Sequence, residues 1–193
     1  MFIVSGIILK KTPIRDKKTL IILFTEEFWI IHVWYKKPPT WIETGWIIQA
    51  FIDRKNSISI LDSFHVKKQI LYEQYSYTSL LQFLWLIKIL LVILPEWLPQ
   101  QKIFQIYNEI ISWDIPEESF CNFIKLRIIQ ILKHIWIIDP RLFIWENQAN
   151  IYTYIDKIEI KRILFSEKIT IDDFWNLNNI IQHSLLPYTN YQC

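Results

Sequence analysis

Five short runs of β-branched and aromatic residues fill the first 68 positions of this 193-residue chain. The runs are 2–9, 20–24, 30–35, 46–52 and 58–66, separated by polar or proline-containing stretches that read as turns. Ser57-Ile58-Ser59-Ile60 and Asp62-Ser63-Phe64-His65-Val66 alternate polar and apolar, which turns one side of the strand inward and the other to solvent. Five strands in so short a stretch predict a small closed barrel. Asp53-Arg54-Lys55-Asn56 reads as the hairpin turn between the last two.

After Lys67-Lys68 the apolar period changes from two to about 3.6. Helices are predicted over 71–94, 102–112 and 117–137, with a last one over 171–185. Glu117 and Glu118 suit the first turn of the third helix, and Asp139-Pro140 would stop it. Asp172 and Asp173 open the last helix and Pro187 lies beyond it. Residues 142–166 give the weakest pattern, consistent with a short helix after an irregular loop. The expectation is an α+β chain: a β-barrel domain over 1–68 and an α-helical domain over 69–193. The most membrane-like stretch, 80–94, is interrupted by Gln82 and Lys88 and falls short of the ~20 apolar residues of a span, so it reads as a core helix and no membrane partner is expected.

The chain has ten tryptophans and two glycines, the latter far below the usual ~7%. The imbalance matters at Thr25-Glu26-Glu27-Phe28-Trp29, a corner between two strands where tryptophan stands at a position suited to glycine and to positive φ. Ile, Lys, Asn, Tyr and Phe are abundant and Ala occurs twice, a bias typical of an AT-rich coding sequence. The cysteines, Cys121 and Cys193, cannot form a disulfide framework or a paired-cysteine metal site, and the N-terminus lacks the order of a secretory signal. A reduced cytosolic compartment fits best.

Enzymatic chemistry is not suggested. Glu26-Glu27 are neighbours on a strand corner with no third acid or histidine at ligand spacing, and His32, His65, His134 and His183 are scattered. No glycine-rich phosphate loop appears, even with tryptophan read as glycine. No metal and no cofactor are expected.

Charge points elsewhere. Net charge is +2, but residues 1–68 hold eleven Lys and Arg against six Asp and Glu, while the remainder holds ten against thirteen. A basic, strand-rich half suits a nucleic-acid partner.

Several stretches resemble the RecO family of recombination mediators. They are Gly6-Ile-Ile-Leu-Lys10-Lys11-Thr12-Pro13, Arg15-Asp16, Leu20 through Phe28 and Lys36-Lys37-Pro38, followed by Leu94-Pro95-Glu96-Trp97 and Leu132 through Pro140. The similarity covers most of residues 1–140. It implies an OB-fold barrel, then a helical domain, in a non-enzymatic DNA repair protein that binds single- and double-stranded DNA and anneals complementary strands. The implied protein partners are RecR, the C-terminal tail of single-strand binding protein and, indirectly, the RecA recombinase. The implied location is the cytoplasm, with the nucleoid. That family usually carries a four-cysteine zinc module near its C-terminus, for which this chain has no cysteines. An OB-fold adaptor that binds RNA or a ribosomal partner without annealing is the alternative.

In an OB-type barrel Lys10, Lys11, Arg15, Lys17, Lys18, Lys36 and Lys37 come from neighbouring strand ends and can track phosphates, while Phe28, His32 and Tyr35 are candidates to stack on bases. Solvated surface lysines are the plain alternative. In the helical domain Lys125, Arg127 and Lys133 interrupt an apolar pattern, and the resemblance makes them candidates to hold the tail of single-strand binding protein; a solvated basic helix edge is the alternative. At Trp29, Trp97 and Trp136 the family pattern has glycine, and Trp34 falls near another small position. This suggests a gene in which UGA encodes glycine.

Overall fold

The structure, a computed structural model, describes residues 1–14, 18–36, 42–55, 58–70, 72–94, 100–112, 115–143, 146–156, 160–166 and 169–189. Strands β1 (Phe2–Ile14), β2 (Lys18–Thr25), β3 (Ile30–Lys36), β4 (Ile47–Lys55) and β5 (Ile58–Lys68) come first. Helices α1 (Tyr77–Ile93), α2 (Gln101–Ser112), α3 (Glu117–His134), α4 (Glu146–Tyr154), α5 (Ile160–Leu164) and α6 (Ile171–Thr189) follow. The chain is therefore α+β. It divides into two compact units, Met1–Glu73 with Ile87–Trp113, and Gln74–Leu86 with Asp114–Cys193. The β-region ends at Lys68, but α2 and the C-terminal part of α1 group with the barrel.

In the first unit the strands close in the order β1-β2-β3-β5-β4, with β4 returning antiparallel to β1 and β3 meeting β5 in parallel. That order and closure are those of an OB-type barrel. The interior is filled by Val4, Ile8, Ile21, Leu23, Val33, Ile48, Ala50, Ile52 and Leu61, the alternate residues of each strand. β1 is longer than its apolar run foretold, because a bulge between Ile8 and Lys10 lets the strand bend and serve two neighbours. Its first half pairs with β4 and its second, through Ile14, with β2. Asp53, Arg54 and Lys55 prolong β4 instead of turning, and Asn56 lies outside the described residues.

Helix α2 seats on the barrel through an aromatic contact and hydrogen bonds. Phe104 packs edge-on against Phe24 with ring centres 5.9 Å apart, and the buried Tyr107 hydroxyl donates to the Gly45 carbonyl at 2.6 Å. Gly45 holds φ 90°, a conformation open to glycine at no steric cost, and its amide donates to Ile8.

The Thr25–Trp29 corner does not use positive φ: among the described non-glycine residues only Trp136 does. Thr25 makes the turn instead. Its hydroxyl donates to the Trp29 carbonyl at 2.9 Å and accepts from the Phe28 amide at 3.2 Å, so a side-chain staple replaces left-handed backbone.

The second unit is built around α3, where Phe120, Phe123, Ile124, Leu126, Ile128, Ile129, Ile131 and Leu132 are buried; they cover most of the helix circumference. The helix stops at His134, short of the proline expected to end it. Trp136 takes φ 60°, its amide donates to the Lys133 carbonyl, and the Ile137 amide reaches back to Leu132. This is a Schellman cap with tryptophan at the position normally held by glycine. Elsewhere in the unit, Thr170 and Asp173 form a reciprocal capping box at the start of α6. The helix then continues through Pro187 into its last turn, beyond the expected end. The described residues of 142–166 contain two short helices, α4 and α5. Among the described residues no helix is long and apolar enough to cross a membrane.

Candidate nucleic-acid interface

Because Val33 points into the barrel and Ile31 and Tyr35 pack against the same core, alternation places Ile30, His32, Trp34 and Lys36 on the outer side of β3. Cross-strand pairing then fixes their neighbours. Lys36 lies opposite Lys18, Trp34 opposite Leu20 and His32 opposite Ile22; on the far side of β2, Ile14, Thr12 and Lys10 complete the three rows. Lys10, Lys18, His32 and Lys36 are exposed, while Leu20, Ile22 and Trp34 between them are half-buried. The result is a three-stranded outer face with cations at its margins and an apolar, aromatic centre.

Not every expected residue joins it. Tyr35 faces inward, with its ring edge-on to Phe64 at 5.8 Å, so Trp34 takes the outward place expected for it. Lys11 is turned to the barrel mouth, where it donates to the Ile42 carbonyl and lies 3.3 Å from Glu43. Much of its charge is thereby matched. Arg15, Lys17 and Lys37 lie outside the described residues. Phe28 is half-exposed at the opposite end of β3, beside Phe2 and Trp29. Trp34 was not foreseen from the sequence; counting by twos from Val33 would have found it.

In the helical unit Lys125 and Arg127 are turned inward and Lys133 is half-buried. Lys125 is 9% exposed and reaches the Phe174 carbonyl at 3.4 Å, and burial pushes its pKa below the ordinary lysine value. Arg127 is 2% exposed, donates to Gln130 at 2.8 Å and lies over the Phe123 ring. Lys133 pairs with Asp156 at 2.9 Å and sits over the Tyr152 ring. Lys125 and Arg127 are internal fasteners, not the rim of an open groove, because α5 and α6 cover α3 on the side where a solvated edge was expected.

Among the described residues no group of three or more His, Cys, Asp or Glu could hold a metal ion. The sequence matches no protein-family model and no curated protein.

Proposed function

We propose that the outer face of β1, β2 and β3 binds single-stranded nucleic acid and that the protein is a RecO-like, non-enzymatic recombination mediator. The observation that carries this is the placement of Lys18 directly opposite Lys36, both exposed, with Lys10 and His32 bordering Leu20, Ile22 and Trp34 on an OB-type barrel. The β2–β3 side is where such barrels take oligonucleotides. Lysines neutralise phosphates without reading sequence, and half-buried apolar side chains between them offer a surface to unstacked bases. Support for the mediator role, as against generic strand binding, comes from the resemblance of the N-terminal motifs. RecR, single-strand binding protein and RecA are its partners on this reading, with the contact to single-strand binding protein made by residues other than the buried Lys125 and Arg127.

An annealing assay tests the reading. Complementary oligonucleotides, naked or coated with single-strand binding protein, should anneal faster with the protein present, and Lys18→Ala with Lys36→Ala should abolish the acceleration. Tight strand binding without any acceleration would favour an RNA or ribosomal adaptor and sink the mediator role.

A further inference from the structure

The β3–β5 ladder covers only Val33–Tyr35 against Ser59–Leu61, so β3 and β5 part company below it. A cleft of about 520 Å³ opens there, between the first residues of β3 and the β4–β5 ends. Phe2, Phe28, Trp29, His32, Arg54 and Ser59 line it. The volume falls in the range that takes a small organic molecule.

Its chemistry is mixed in a specific way. Phe28 stands edge-on to both Phe2 (6.1 Å) and Trp29 (6.2 Å), yet Phe28 and Trp29 remain 38% and 43% exposed. Three aromatic rings meeting at a solvent-open cleft form an apolar surface that packing has not used up. Arg54, paired across the ladder with Ser59, is exposed and meets no carboxylate within ion-pair distance among the described residues. Asp53, its neighbour in the chain, lies 4.0 Å from the N-terminal amine, and Glu27, next to Phe28, accepts the Ser5 amide at 3.4 Å. Aromatic ring faces and a guanidinium lining one cleft suit a ligand that is itself a flat ring carrying an anion. His32 belongs both to the cleft and to the outer face, and Lys36 lies four residues, about 13 Å, further along the same strand.

We propose that this cleft receives one unpaired nucleobase of the bound strand, the base against Phe28 and its phosphate on Arg54. The inference rests on the strand-binding reading of the outer face but can be tested apart from it, because a mononucleotide fills the cleft without spanning the lysine row. Adenosine monophosphate is titrated into the full chain and followed by broadening of its base-proton resonances, with inorganic phosphate as the comparison ligand. Saturable binding is expected, far tighter than for phosphate. Phe28→Ala should weaken it about 5- to 150-fold, the worth of one base–aromatic contact, with Phe28→Tyr restoring most of it. Arg54→Ala should weaken it too. Lys18→Ala with Lys36→Ala should leave mononucleotide binding unchanged while weakening oligonucleotide binding. Absence of saturable binding, equal affinity for phosphate, or no effect of Phe28→Ala with the fold retained by circular dichroism would overturn the proposal. Normal mononucleotide behaviour alongside oligonucleotide binding that ignores the lysine pair would sink the outer-face reading and leave the cleft standing.

Discussion

Lys18 and Lys36 face each other on adjacent antiparallel strands, two like charges in direct cross-strand register. Such a pair opposes folding, and among the described residues no carboxylate lies within ion-pair distance of either. A polyanion laid across both would relieve the repulsion. Lys36→Glu should therefore stabilise the free protein slightly, by about 1–2 °C in melting temperature at low salt. The gain should shrink as salt is added, since screening weakens exposed pairs. The same change should reduce single-strand affinity. A variant that loses stability would show that the two lysines are held by something other than their mutual repulsion.

Trp136 is the second test. At φ 60° its Cβ crowds the backbone, and with 92% of the residue exposed little packing depends on the ring. Trp136→Gly should raise stability by about 1 kcal/mol in urea melts. Trp29→Gly should not, because that position keeps ordinary φ and glycine would only add freedom to the unfolded chain. If UGA is read as glycine in the source gene, the intact mass of the native protein will carry glycine at 136; a UGG codon there contradicts recoding.

Lys125 links stability to alkaline pH. Its folded pKa lies below the unfolded value because burial disfavours the ammonium, so between those two values the unfolded chain binds more protons. Stability should climb as pH rises through that window towards 10.5 and level off above it. Lys125→Met should remove this climb and raise the melting temperature at neutral pH by a few degrees. The check is a pair of thermal melts across pH 7 to about 10.5.

Asp173 acts in the opposite range. Burial pushes its carboxyl up, but the Thr170 amide, the Thr170 hydroxyl and the Asn147 amide donate to it and outweigh that effect, leaving it below the ordinary value. Its contribution is present above the unfolded pKa and disappears as pH falls through the folded one. Thr170→Ala should cost about 1 kcal/mol, and Asp173→Asn should flatten the acid limb of the stability curve.

The barrel was legible because β-branched runs broken by polar turns leave few other ways to bury five short strands. Faces were harder. Tyr35 and Trp34 exchange roles on a one-residue difference in alternation, and only the core position of Val33 settles it. Arg54 was misplaced because four polar residues in a row look like a turn even where the strand continues through Lys55. The interior setting of Lys125 and Arg127 was hidden for a related reason: charge pattern on α3 marks an edge as solvated only if no other element covers it, and α5 and α6 pack on this helix. Helix ends depend on backbone conformation, which the Schellman turn at Trp136 and the passage of α6 through Pro187 both show.

The most direct measurement of the central claim is the salt dependence of single-strand binding by the unaltered chain and by the Lys18→Ala, Lys36→Ala variant. The account predicts that affinity falls about equally on all sequences and that the slope of log K against log salt drops by about 0.7 for each phosphate no longer neutralised. An unchanged affinity and slope would place the nucleic-acid surface elsewhere and contradict the account.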